Sequence, residues 1–67
     1  MNVILNGKPA EVEGSEHTVA TLVERLPLGK QPVLVELNGE AVLVREFKDR
    51  KIKEGDTIEV IRMVAGG

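Results

Sequence analysis

Two Asn-Gly dipeptides constrain the fold of this chain more than any other feature of its sequence. Asn6-Gly7 and Asn38-Gly39 each follow a short aliphatic run. Asn-Gly is the dipeptide that best tolerates the positive φ angles of a type I′ turn, so each one predicts a β-hairpin. The four predicted hairpin strands cover residues 1–5, 8–12, 33–37 and 41–44.

A single helix is predicted between the two hairpins. Thr18 is a favourable N-cap residue, and four aliphatic residues follow it at the i, i+3, i+4 and i+7 spacing of one helical stripe. Pro27 predicts that the helix has ended by that point. The stripe consists of Val19, Leu22, Val23 and Leu26.

A fifth strand is predicted over 57–64, after a turn at 54–56. This element order predicts an α+β fold in which one main helix lies across one face of a mixed sheet of about five strands. The β-grasp is the compact fold that has this arrangement. We expect a β-grasp domain over 1–64 and a flexible tail over 65–67. The residues expected to face the helix are Val3, Leu5, Val12, Val33, Val35, Leu37, Ile58 and Val60, and Phe47 and Ile52 are expected to anchor the charged segment 45–53.

The composition argues against several classes of function. The 67 residues hold 9 Lys and Arg against 11 Asp and Glu, and one aromatic side chain, so the basic stripe and stacking platform of nucleic-acid binders are missing. With one histidine and no cysteine, we expect neither a metal site nor a self-sufficient enzyme. The longest apolar run, 41–44, is far below the about 20 residues of a membrane span. We therefore expect a cytoplasmic protein that is monomeric when free.

Two polar residues are given structural interpretations. His17 precedes the predicted N-cap in a polar loop, and we expect it to be solvated and without a role. Arg62, near the end of the last strand, has two possible roles: it guides the chain end towards an acidic cleft, or it pairs with Glu36 or Glu59. We expect the pairing.

Four apolar residues fall on the sheet face that the helix does not cover. Counting with period two from the inward positions places Ile4, Leu34, Ile61 and Met63 there, where polar residues are expected. Two interpretations stay open. In the first, the four residues form an exposed apolar patch that binds a partner. In the second, they are ordinary isolated surface aliphatics, some of which would lie inside if the predicted register were wrong by one residue.

The chain ends on Ala65, Gly66 and Gly67, directly after the last predicted strand. Terminal glycines alone predict only fraying. However, glycine has no Cβ and presents the narrowest backbone available to another protein's active site. The three tail residues together reach about 10 Å.

Several stretches together form a family pattern. They are MNVILNGKP at 1–9, Thr18-Val19 with Leu22, VELNGE at 35–40, Gly55-Asp56 with Ile58-Glu59-Val60, and Gly66-Gly67. Along nearly its whole length the chain resembles the ThiS-type ubiquitin-like sulfur carriers of thiamine biosynthesis. Its shortness favours these over the longer small subunit of molybdopterin synthase. Ala65 departs from the pattern, because many members of the family have a third glycine there.

The resemblance implies that this chain is a co-substrate of partner enzymes and not an enzyme. A ubiquitin-activating-type adenylating enzyme would use ATP and Mg²⁺ to convert the Gly67 carboxylate into an acyl-adenylate. A sulfur donor, a cysteine desulfurase or a related protein, would then supply a persulfide sulfur. The resulting thiocarboxylate would deliver sulfur to thiazole synthase, and the chain itself would bind no cofactor or metal.

Other functions remain compatible with the same residues. A carrier for molybdopterin synthesis or tRNA thiolation, or a ubiquitin-like modifier joined to lysines, would use the same terminal glycine. A β-grasp binding domain that is not a carrier would use only the open sheet face, and its tail would be idle.

Overall fold

The computed structural model describes residues 1–14, 17–27 and 32–63. A short 3₁₀ helix and two short strands accompany the elements predicted from the sequence. The strands are β1 (Asn2–Leu5), β2 (Lys8–Glu11), β3 (His17–Thr18), β4 (Val33–Leu37), β5 (Glu40–Val42), β6 (Lys51–Ile52) and β7 (Thr57–Arg62), the α-helix is α1 (Val19–Glu24), and the 3₁₀ helix is η1 (Val44–Glu46).

Five strands form one mixed sheet in the order β2-β1-β7-β4-β5, and β3 and β6 form a separate two-stranded ribbon. β7 runs parallel to β1 and antiparallel to β4, so the last strand lies between the two hairpins. This arrangement confirms the predicted α+β, β-grasp fold. Within the described residues, no helix is long and apolar enough to cross a membrane. The predicted tail at 65–67, like Val64, lies outside the described part of the chain.

Both Asn-Gly dipeptides form the predicted hairpin turns. The φ angles are +51° at Asn6 and +82° at Gly7, and +52° at Asn38 and +83° at Gly39. Two consecutive positive φ angles are the signature of a type I′ turn, whose twist matches that of the flanking strands. The turns fix the register of each hairpin, pairing Leu5 with Lys8 in the first.

Helix α1 begins as predicted, at the Thr18 N-cap. The Thr21 N–H donates to Thr18 Oγ1 at 3.3 Å, and the Thr18 N–H donates to Thr21 Oγ1 at 3.0 Å, so the two residues form a reciprocal capping box. The helix ends at Glu24, earlier than the apolar stripe suggests. Val23 and Leu26 are half-buried and still pack against the core.

The core lies between α1 and the inner face of the sheet. The residues predicted to face the helix are buried except Leu5, which is half-buried and still packs against the core. Ile52 is buried and Phe47 is partly buried, which confirms their predicted role as anchors of the charged segment. The fully buried side chains at the centre of the core are Ile58, Val3, Val19 and Val35.

The second hairpin is shorter than the sequence predicts. β5 ends at Val42, and Val44 begins η1 with its side chain 70% exposed, so the predicted strand over 41–44 is wrong at its end. The Leu43 N–H donates to Glu46 Oε1 at 3.0 Å, and the Glu46 N–H donates to Leu43 O at 2.7 Å. These local hydrogen bonds compete with strand pairing and turn the chain away from the sheet.

The expectation of a solvated His17 is wrong. Its side chain is buried, and its backbone pairs with Ile52 in the β3–β6 ribbon. One ring nitrogen hydrogen-bonds Glu13 O and the other faces Thr21 Oγ1 at 3.4 Å. His17 is therefore a structural residue that ties the preceding loop to the start of α1.

Candidate functional site

The predicted site has two parts, the C-terminal tail and the sheet face opposite α1. The tail residues Ala65, Gly66 and Gly67 lie outside the described part of the chain, but the strand that leads to them does not. β7 is held between β1 and β4, and the Met63 N–H donates to Pro32 O at 2.9 Å. The backbone is thus anchored to the sheet up to four residues before Gly67.

Both hairpin turns also bind β7 through their asparagine side chains. Asn6 Oδ1 accepts from the Val60 N–H at 2.8 Å, and Asn38 Oδ1 accepts from the Thr57 N–H at 2.9 Å. Asn38 Nδ2 also donates to Asp56 Oδ1 at 3.0 Å. From the sequence, these asparagines were predicted only as turn residues. The signal for their second role, hydrogen bonding to β7, is that an asparagine side chain can both donate and accept hydrogen bonds. They position the strand that carries the tail.

Three of the four predicted outer-face residues come together. Leu34 lies directly opposite Ile61 in the β4–β7 register, and Leu34, Ile61 and Met63 are 42%, 46% and 53% exposed. Ile4 is half-buried and pairs with Pro9 and Thr57, four residues along β7 from Ile61. At 3.3 Å per residue this separation is about 13 Å, so Ile4 is not adjacent to the other three.

Leu43 is a fourth member of this cluster, which was not predicted from the sequence. It follows β5 directly, is half exposed, and falls opposite Leu34 if the β4–β5 register is continued by one residue. The signal was present in the sequence, because the predicted Asn38-Gly39 turn sets the β4–β5 register, but period-two counting had not been extended to the strand over 41–44. We call Leu34, Leu43, Ile61 and Met63 the outer apolar patch.

Carboxylates border the outer apolar patch. Glu36 lies directly opposite Glu59 in the β4–β7 register, one outward position along from Leu34 and Ile61. The expected ion pair between Arg62 and either glutamate is wrong, because Arg62 and Glu59 alternate to opposite faces of β7. Among the described residues the ion pair found is Arg50 Nη2 with Glu40 Oε1, at 2.9 Å.

The described part of the chain holds a small groove and no metal-binding cluster. No group of three or more metal-binding side chains occurs in residues 1–14, 17–27 and 32–63. A groove of about 190 Å³ lies between β2 and α1, lined mainly by Leu5, Val12, Leu22 and Leu26. It is smaller than the roughly 300–1,000 Å³ of typical small-molecule sites.

Comparison with known proteins agrees with this architecture. Residues 3–67 match the model of the ThiS family. The sulfur carrier protein ThiS of Thermus thermophilus is 38% identical over 65 residues, which cover 97% of this chain and 98% of that protein. A crystal structure of the thiamine biosynthesis protein ThiS from Geobacter metallireducens matches with a TM-score of 0.85 and 36% identity over the whole of both chains.

A solution structure of a thiamine biosynthesis protein from Geobacter metallireducens gives a TM-score of 0.82 at 36% identity, covering all of this chain and 88% of that one. The sequence match and the shared fold therefore agree over nearly the full length. This chain belongs to the ThiS family of sulfur carrier proteins.

Proposed function

We propose that this sulfur carrier of thiamine biosynthesis holds its sulfur as a thiocarboxylate on Gly67. The observation that supports this most directly is the family match, which extends through Gly66 and Gly67. The fold supports it as well, because β7 is the central strand of the sheet and leads towards those residues. A rigid strand gives a partner a fixed surface to hold while it acts on the tail.

The chemistry needs an activating step, because a carboxylate is a poor acyl electrophile until its oxygen becomes a good leaving group. An adenylating enzyme supplies this step with ATP and Mg²⁺. The Gly67 carboxylate attacks the α-phosphorus, pyrophosphate leaves, and an acyl-adenylate forms. The terminal sulfur of a persulfide then attacks the carbonyl carbon and displaces AMP. A thiol cleaves the resulting S–S bond and releases the thiocarboxylate.

This chain supplies the reacting terminus and no general acid or base. Its glycines have no Cβ to obstruct the α-phosphate or the incoming sulfur. From Met63 the four remaining residues span at most about 14 Å, so the reacting carbon stays near the sheet. The partner's active site must therefore lie close to the surface on which the domain docks.

The proposed partners are a ubiquitin-activating-type adenylating enzyme, a cysteine desulfurase or related sulfur donor, and thiazole synthase. We assign their docking to the outer apolar patch, because its four large side chains are exposed on the face opposite the core. Clustered apolar side chains of this kind mark interaction surfaces more often than scattered ones. Ile61 and Met63 also lie on the strand that carries the tail.

Intact-mass spectrometry tests the proposal. The wild-type chain, incubated with the adenylating enzyme of the same organism, ATP, Mg²⁺ and a persulfide donor, should gain the mass difference of one oxygen exchanged for one sulfur. The chain that carries the thiocarboxylate should then transfer its sulfur to thiazole synthase. Transfer to the large subunit of molybdopterin synthase or to a tRNA-thiolating enzyme instead would assign another pathway, and lysine conjugates would indicate a protein modifier. An unchanged mass would leave a β-grasp binding domain with an idle tail.

A further inference from the structure

The charges on the sheet face opposite α1 are all of one sign. Strand pairing places ten residues of the five-stranded sheet on that face, and the charged ones are Glu11, Glu36 and Glu59. No lysine or arginine occupies an outward position on these five described strands. The whole chain has a net charge of only −2, so this face is more acidic than the rest of the molecule.

Two of these carboxylates oppose each other directly. Residues paired across antiparallel strands have Cβ atoms about 4.5–5.5 Å apart, and like charges at such positions are destabilising. Glu36 is half-buried and Glu59 is exposed, and among the described residues neither forms an ion pair or a side-chain hydrogen bond. The free domain therefore holds a repulsive pair that its own described cations do not neutralise.

The repulsive pair lies beside the outer apolar patch. Leu34 and Ile61 form one cross-strand row, and Glu36 and Glu59 form the neighbouring row, about 7 Å along the strands. An apolar centre with a charged border is the usual anatomy of a protein interface. A surface that covers Leu34 and Ile61 must also approach the two carboxylates.

We infer that this face docks a protein surface that is apolar at its centre and places an arginine guanidinium between Glu36 and Glu59. Charge complementarity selects this occupant, because a purely apolar surface would bury the carboxylates unpaired, at a large cost. Arginine fits better than lysine, since its planar fork can bond two carboxylates and its cation is less strongly hydrated. The inference rests on the proposed function and takes the adenylating enzyme as the partner.

Docking also relieves the repulsion between the two glutamates. The same pair therefore has opposite effects in the two states: it destabilises the free domain and stabilises the complex. A pair with only a solubilising role would not show this reversal. Replacing both carboxylates by isosteric amides should raise the melting temperature of the free chain while weakening the complex.

The test is isothermal titration calorimetry of the full chain with the adenylating enzyme of the same organism, at ionic strengths of about 0.01 M and 0.15 M. The double variant Glu36→Gln/Glu59→Gln should bind at least about tenfold more weakly than wild type at the lower ionic strength, and its affinity should change less with salt. Glu11→Gln, on the same face at the sheet edge, and Glu24→Gln, on α1, are matched controls that should stay within about twofold of wild type.

Affinity and salt dependence equal to those of wild type in the double variant would overturn the inference, and so would an equal loss in the Glu11→Gln control. Mass spectrometry at saturating adenylating enzyme separates this result from failure of the proposed function. If wild type is converted at Gly67 but the double variant binds normally, only the docking inference fails. If wild type is not converted at saturation, the carrier proposal fails whatever the affinities are.

Discussion

Asn38 and Thr57 are joined by two hydrogen bonds across the end of the sheet. The Asn38 N–H donates to Thr57 O at 2.7 Å, and the Thr57 N–H donates to Asn38 Oδ1 at 2.9 Å. The turn residue thus continues the β4–β7 ladder with its own side chain. Because Thr57 begins β7, the second hairpin turn fixes where the tail-bearing strand enters the sheet.

The first prediction concerns this turn. Asn38→Gly keeps a residue that accepts a positive φ but removes the side-chain bonds to Thr57 and to the buried Asp56. We expect it to lower the free energy of unfolding by about 1–3 kcal/mol, as measured by urea denaturation. Asn6→Gly is the matched control and should cost less, because Asn6 makes one such bond in the described structure, to Val60. Equal losses would show that Asp56 does not depend on Asn38.

The second prediction separates the two sheet faces. Leu22→Ala empties part of the core under α1, where Leu22 is 3% exposed, and should cost about 2–5 kcal/mol. Ile61→Asp or Met63→Asp should leave the melting temperature nearly unchanged, because both side chains are about half exposed. The aspartate variants should nevertheless bind the adenylating enzyme more weakly. A large loss of stability in either one would contradict the assigned outer face.

A third prediction uses two glycines with the same backbone conformation. Gly14 and Gly55 have φ angles of +86° and +84°, and any Cβ there carries strain of about 1–2 kcal/mol. A Cβ on Gly14 would also lie 3.3 Å from His17 Nε2, whereas one on Gly55 meets nothing within 4 Å. Gly14→Ala should therefore destabilise more than Gly55→Ala in thermal unfolding. The difference should disappear in a His17→Ala background, and its persistence there would exclude His17 as the cause.

The sequence predicted the features that depend on neighbouring residues. Positive φ angles at Asn6 and Asn38, the Thr18 cap and the outward position of Ile61 follow from turn chemistry, capping and period-two alternation. Each of these signals lies within a few residues of the structure it determines.

The features that were missed depend on contacts distant in sequence. His17 is buried because β3 pairs with β6, 35 residues further along the chain. No residue near His17 in the sequence indicates that it pairs with Ile52. The opposition of Glu36 and Glu59 depends on the register of two separately predicted strands. Alternation assigns a face to each residue, but it does not assign a neighbour.

The terminal carboxylate gives the most direct test of the central claim. Wild type, a chain lacking Gly67 and Gly67→Val should each be incubated with the adenylating enzyme, ATP, Mg²⁺ and a persulfide donor, and their intact masses compared. We expect wild type alone to exchange one oxygen for sulfur. Deletion of Gly67 moves the terminal carboxylate back by one residue, out of reach of the reacting centre, and a β-branched side chain obstructs that centre. All three chains should have the same melting temperature. Thiazole formation at the wild-type rate by the chain lacking Gly67 would contradict the account.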